Sequence, residues 1–319
     1  MRAAVLHRSG DPSVLVVEDL PEPVPAAGQS LVDVTLAGLN YDDLEHRAGQ
    51  VRSLPAVLGV DAVGRRRRDG RRVVALLRKG GGYAQVVAAE DRHTFEVPDH
   101  LSDEQALGLL EQGATAYGAL VLAGRLRAGE PVGIAAAAGG VGHLAVQLAV
   151  AYGAHPVIGL ASTRAKREWV SQLGANTALD PNVAELAGRL REASGGGLGL
   201  FLDSVGGGLA RSALAALAPF GRLVSVGYRS GTEAGSIPLT TEELIDRSIG
   251  CAGFWMRHVV DDRQLLAGIA DELFALAKRG ELTARIDRTV RLDQIDQAHA
   301  AMAARSTAGK VLIDVNSEG

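Results

Sequence analysis

Over the first hundred residues, apolar and polar positions alternate in short runs, at residues 3–7, 15–18, 30–36, 72–77 and 83–87, with Pro and Gly between them. A period of two bounded by such breakers predicts half-buried strands, and several in succession predict a barrel-like β domain. The pattern then changes. Residues 102–110 carry helical periodicity, and from residue 132 onward uninterrupted apolar runs (132–138, 155–161, 198–203, 221–227) are separated by helical stretches such as 166–173, with a shorter strand at 177–179. Strands apolar on both faces need helices on both sides, so the middle of the chain is expected to be a doubly wound parallel sheet. The end reads as a helix over 262–279, a strand over 285–290, a helix over 292–304 and a last strand over 309–315.

The run Val132-Gly-Ile-Ala-Ala-Ala-Ala138-Gly139-Gly140-Val141-Gly142 joins a strand to an amphipathic helix through a glycine turn. Small residues let the backbone approach a pyrophosphate, whose charge the amides and dipole of the helix start favour. The G-x-G-x-x-G register falls on Ala137, Gly139 and Gly142, with alanine in the first place. The following strand, at βαβ spacing, separates this turn from an ordinary strand and helix. Where an NAD site usually carries an acid, about 20 residues past the last glycine, the chain reads Ser162-Thr163-Arg164-Ala165-Lys166-Arg167. Hydroxyls and cations there point to NADPH. A helix start capped by Ser162 or Thr163, with solvated basic residues, is the other reading and is compatible with the first.

At 319 residues and 47% hydrophobic, the chain is expected to hold two domains. A net charge of −4 argues against general attraction to nucleic acid or membrane surfaces. The single cysteine, Cys251, rules out an intramolecular disulfide and is expected to be an inert buried thiol. No apolar run reads as long enough to span a bilayer and no signal peptide is recognised, so the expectation is a cytoplasmic protein. The run from Arg65 to Arg68 and on to Arg72 lacks interleaved aromatics. It is expected to be a solvated loop, with Asp69-Gly70 as its hairpin turn.

With these pieces placed, the chain resembles the medium-chain dehydrogenase/reductase superfamily, in its zinc-free quinone oxidoreductase and enoyl reductase branch. The resemblance rests on Gly38-Leu-Asn40-Tyr41-Asp-Asp43, Leu58-Gly-Val-Asp61, Gly113-Ala-Thr115, Ala138-Gly-Gly-Val-Gly142, Leu173-Gly-Ala175, Asp203-Ser-Val-Gly-Gly207, Gly221-Arg-Leu-Val-Ser-Val-Gly227 and Gly309-Lys-Val-Leu312. It implies a GroES-like catalytic domain over 1–112 and 256–319, a Rossmann domain over 113–255, and a cleft between them. A homodimer paired along the sheet edge near residues 225–238 is expected, with Leu223-Val-Ser-Val226 as the exposed strand. No metal is expected. The zinc enzymes place a cysteine where this chain has Leu39-Asn40 and Gly-His-Glu where it has Gly59-Val60-Asp61, and its eight histidines, read as surface or helix-edge residues, show no ligand spacing.

The resemblance implies hydride transfer from NADPH to a quinone or to the C=C of an enone or enoyl thioester. It puts Asn40 beside nicotinamide and substrate, Asp43 as the group that orients them, Thr115 at the carboxamide, and Lys166 and Arg305 at the 2′-phosphate. Gly227 closes the strand under the nicotinamide, with Tyr228 and Ser230 beside it. Phe254, Trp255 and Met256 either wall the substrate or belong to the core. Asn40 and Asp43 equally read as caps of the helix beginning there, and Thr115 as an interior helix residue. The tyrosine that donates a proton in enoyl reductases is missing from Gln50-Val51-Arg52-Ser53, leaving Tyr41 or water as donor. That departure keeps a second class open: a nucleotide-binding protein whose reductase chemistry is lost or redirected to a sensing, structural or non-reductive role.

Overall fold

The computed structural model describes residues 1–50, 53–227 and 239–317. Its strands are β1 (Arg2–Leu6), β2 (Leu15–Asp19), β3 (Gln29–Leu39), β4 (Ala56–Val57), β5 (Asp61–Arg66), β6 (Arg72–Leu76), β7 (Val86–Glu90), β8 (Thr94–Glu96), β9 (Val132–Ile134), β10 (Val157–Leu160), β11 (Thr177–Leu179), β12 (Leu198–Asp203), β13 (Leu217–Ser225), β14 (Gly250–Gly253), β15 (Ile286–Arg291) and β16 (Lys310–Asp314). The helices are α1 (Tyr41–Glu45), α2 (Asp103–Tyr117), α3 (Gly140–Ala151), α4 (Arg164–Gln172), α5 (Leu186–Ala193), α6 (Gly207–Ala216), α7 (Thr241–Arg247), α8 (Met256–Asp261), α9 (Arg263–Lys278) and α10 (Ile295–Ala303). The chain divides into two compact units. The first comprises residues 1–111, 260–279 and 283–319, and the second 112–259 and 280–282.

In the first unit the long strand β3 pairs antiparallel with β16, β5 and β7, and the sheet runs β15-β16-β3-β5-β6-β8. A smaller sheet, β2-β1-β4, completes the β domain. Alternation along β3 turns Val32 and Val34 into a core shared with Leu6, Tyr83, Val311 and Ile313. Arg65 and Arg66, expected as loop, belong to strand β5, whose backbone pairs with both β3 and β6. Five of the six arginines of the run pair with carboxylates: Arg66 with Asp69 (2.6 Å), Arg67 with Glu22 and Asp33 (both 2.7 Å), Arg68 with Asp91 (2.9 Å), Arg71 with Glu96 (2.5 Å) and Arg72 with Asp103 (2.8 Å), while Arg65 Nη1 donates to Gly70 O (3.1 Å). Most of the positive charge is thus matched locally by carboxylates.

The second unit is a sheet of order β11-β10-β9-β12-β13-β14 with parallel pairing throughout. Leu223 and Val224 are enclosed, because β13 pairs with β12 on one side and β14 on the other. The strand expected to form the open edge is therefore interior, and among the described residues the edge is β14. The rest of the expected contact, residues 228–238, lies outside the described residues.

Three further expectations are corrected. Cys251 is exposed, since it lies on that edge strand. His93, His143 and His299 are buried, not at the surface. One helical segment, Asp103–Ala123, is long and apolar enough to cross a membrane, but 67% of its apolar window is buried within the protein, which is the behaviour of a core helix.

His299 stands against the edge of the Tyr83 ring, 5.9 Å between centroids, and neither of its ring nitrogens has a hydrogen-bond partner among the described residues. Burial, with the Arg47 charge added, pushes its pKa down to about 3. The folded protein therefore holds His299 neutral while the unfolded chain takes up a proton below about pH 6.5, so this residue's contribution is lost as pH falls. Between pH 7 and 5 the loss is expected to be about 2 kcal/mol. Urea unfolding of His299→Leu checks this: the variant is expected to lose correspondingly less stability over that interval than the wild type. Equal losses in the two proteins contradict it.

Candidate functional site

In the second unit, the chain after β9 moves outward to β10 and β11, then returns to the other side at β12. The turn between β9 and α3 therefore lies at the point where strand order reverses, where open α/β sheets bind ligands. Ala136 takes a left-handed conformation (φ 45°), and Gly139 N donates to Ala136 O (2.8 Å) to close the turn. The first bond of the helix runs from His143 N to Gly139 O (3.0 Å). The amides of Gly140, Val141 and Gly142 precede it and face outward at the positive end of the helix dipole. A Cβ on Gly142 would lie 2.2 Å from Ala136 O, and one on Gly140 2.8 Å from the Gln112 side chain. Larger residues at these places would spread the cradle. Ala138 is buried within the turn.

Beyond β10 the loop enters α4 through Thr163, whose hydroxyl accepts from Lys166 N (3.3 Å). The capped helix start is thus present. It leaves Ser162 and Arg164 exposed, and Arg164, 88% exposed, pairs with Glu168 (2.7 Å). Lys166 is half-buried. Among the residues of this loop there is no acid, so it fits a phosphorylated ribose. Asp180, missed in the sequence, stands here as well: Arg167 Nη1, of the same basic segment, donates to Asp180 Oδ2, Ala161 O and Ser162 O, each at 3.0 Å.

Thr115 lies inside α2, as the alternative reading had it. Gly227 follows β13 and its carbonyl accepts from Ser225 Oγ (3.1 Å). Phe254 packs against the backbone of Gly118, where a Cβ would meet its ring at 2.1 Å, so it serves as packing in this unit. Trp255 is 61% exposed and carries Arg257 over its ring, 5.4 Å from the centroid. Tyr228 and Ser230 lie outside the described residues.

In the first unit, Asn40 follows β3 and is the N-cap residue of α1. Asn40 Oδ1 accepts from Lys310 Nζ (2.8 Å), while Nδ2 donates to Asp61 Oδ1 (2.7 Å) and, more weakly, to Gly38 O (3.4 Å). Lys310 Nζ also donates to Asp61 Oδ2 (2.8 Å), and neither side chain of this ion pair has any exposure. Asn40, 5% exposed, is therefore held in one amide orientation by opposite charges at its two ends.

Asp43 is buried too, and it accepts from Asn40 N (2.9 Å) and Gly59 N (3.0 Å). It ties the start of α1 to the loop before β5, which is the capping role weighed from the sequence. Burial pushes its pKa up to about 7 despite these donors, with the charge of Asp61 adding to the rise. The Tyr83 hydroxyl is buried close enough to influence Asp43 but makes no well-formed hydrogen bond. Glu111 keeps some solvent contact, yet its desolvated carboxyl is raised to about 7, with Lys310 opposing.

Tyr41, the first residue of α1, is half-buried against the core of this unit. Arg305 is exposed just beyond α10, in a left-handed conformation (φ 56°). Lys310 and Asp61 were legible only as motif members; a lysine directly before the apolar Val311, Leu312 and Ile313 was the available signal. Among the described residues, no group of three or more His, Cys, Asp and Glu is arranged to hold a metal ion.

The family model described as zinc-binding dehydrogenase matches residues 140–272. The chain is 31% identical to a 2-haloacrylate reductase of Burkholderia sp, with 98% of each protein covered. It is likewise 31% identical to a quinone oxidoreductase of Pseudomonas aeruginosa, over 95% of this chain and 96% of that protein. A mycobacterial protein solved in complex with NADPH superposes with a TM-score of 0.92 at 30% identity, covering 99% of this chain and 100% of the other. The two units are accordingly a GroES-like domain and a Rossmann domain, and the protein is an oxidoreductase with a nicotinamide-cofactor fold. On the glycine turn, the barrel and these likenesses together, the chain belongs to the medium-chain dehydrogenase/reductase superfamily, in its zinc-free quinone oxidoreductase branch.

Proposed function

We propose that the protein is an NADPH-dependent reductase of quinones or of the C=C bond in α,β-unsaturated carbonyl compounds. The observation that carries this reading is the pairing of three outward amides, at Gly140, Val141 and Gly142, with a loop after β10 that is basic and free of acids. NADPH, when bound, supplies the hydride. The chain's part is to hold the pyrophosphate on the glycine turn, to meet the 2′-phosphate with Lys166, Arg164 and Ser162, and to place the substrate.

Asn40 is the group proposed to meet charge that develops on a substrate oxygen. Its Oδ1 accepts from Lys310 and its Nδ2 donates to Asp61 and, at 3.4 Å, to Gly38 O, so the amide is fixed in place. A donor fixed in advance is worth more than a free one, because no reorganisation is needed as charge builds. Asp43 acts through the backbone it ties, not on the substrate. Tyr41 or water remains the proposed source of the proton.

An NADPH-oxidation screen against quinones, 2-alkenals, 2-haloacrylates and enoyl thioesters, run with a chelator present, tests the reading. Turnover of at least one class is expected, unchanged by chelator. Asn40→Ala is expected to lower kcat about a hundredfold while NADPH titration is unchanged. NADPH binding with no turnover of any class would favour a redirected or lost chemistry.

A further inference from the structure

We propose that Arg167 sets the choice between the two nicotinamide cofactors by compensating the charge of Asp180; this rests on the reading of the second unit as an NADPH site. Asp180 is the first residue beyond β11, whose Leu179 lies opposite Leu160 of β10, and Ala161 N donates to Leu179 O (3.0 Å). The Asp180 carboxylate therefore stands beside the loop 161–163, where the adenosine ribose of a bound dinucleotide is expected. A free carboxylate there would accept from ribose hydroxyls and repel a 2′-phosphate. It is not free. Arg167 Nη1 reaches Asp180 Oδ2, Ala161 O and Ser162 O from one position, each at 3.0 Å. The other oxygen, Asp180 Oδ1, accepts from Asn182 N (3.0 Å) and Asn182 Nδ2 (3.2 Å). Both acceptor atoms are thus occupied.

The geometry makes Arg167 a positioning residue. Its guanidinium is turned toward the protein and braces the loop carbonyls. An arginine fits this task because the Nη1 amino group of a rigid, always charged guanidinium meets carbonyl and carboxylate acceptors together. Removing it leaves a half-buried negative charge beside the ribose, which discriminates between cofactors that differ only in the 2′-phosphate.

Fluorescence titration of NADPH and NADH at fixed ionic strength tests this on four proteins: wild type, Arg167→Met, Asp180→Asn and the double variant. Arg167→Met is expected to raise the NADPH Kd at least about tenfold and to change the NADH Kd by less than about threefold. The double variant is expected to recover NADPH affinity to within about threefold of wild type. Asp180→Asn alone is expected to bind NADPH at least as tightly as wild type, and it serves as the deciding variant if Arg167→Met does not fold. Equal weakening of both nucleotides in Arg167→Met with no recovery in the double variant overturns the proposal, as does a tenfold loss of NADPH affinity in Asp180→Asn. A wild type with equal affinity for the two nucleotides overturns the NADPH reading itself, a result distinguishable because it appears before any variant is compared.

Discussion

Lys310→Met is expected to destabilise the protein by about 3–5 kcal/mol, because it strands the Asp61 carboxylate in the interior without its ion partner. The pair is wholly buried, its geometry is tight at 2.8 Å, and Asp61 keeps only the Asn40 amide once the ammonium is gone. The site has no slack. A Cβ on Gly38 would lie 2.3 Å from Asp61 Oδ1 and 2.5 Å from Lys310 Cε, so the facing strand has made room for this contact. Chemical denaturation is expected to show a lower midpoint with an unchanged m-value. The double variant Lys310→Met/Asp61→Leu should recover much of the loss, since both charges are then absent. A single variant as stable as wild type would contradict this. Activity is expected to fall in both variants, for Asn40 loses its fixed orientation.

Gly142→Ala is expected to abolish tight nucleotide binding. Its new Cβ would stand 2.2 Å from Ala136 O, a backbone atom that cannot turn aside, so α3 and the turn must part. Overpacking of this kind costs about 1–3 kcal/mol, and about 1.4 kcal/mol corresponds to tenfold in affinity. Losses in NADPH affinity of tenfold to a hundredfold are therefore expected by fluorescence titration. Gly139→Ala, with its Cβ 3.1 Å from the same oxygen, is expected to lose less. Equal affinities across the series would place the dinucleotide elsewhere in the unit.

The parts of this protein written in local pattern were legible without coordinates. Apolar runs at 132–134, 157–160 and 198–203 needed cover on two faces, and the glycine turn carried its own steric requirement, so the doubly wound sheet and its nucleotide turn followed from nearest-neighbour physics. The β domain was legible from the period-two runs for the same reason. The sheet edge was not, because whether Leu223 is enclosed depends on β14 arriving from residues 250–253, and pairing partners far apart in sequence leave no local mark.

The polar interior was equally hidden. Asn40 and Asp43 were visible as a helix start, but the sequence shows nothing of Lys310, 270 residues away, holding the Asn40 amide. Arg167 read only as one more cation of the 162–167 segment, and nothing tied it to Asp180 until parallel pairing of β10 and β11 set them side by side. Local periodicity determined the elements and the nucleotide turn; only the tertiary structure decided which charges meet, because an ion pair is specified by distance in space and by burial, neither of which is written in the spacing along the chain.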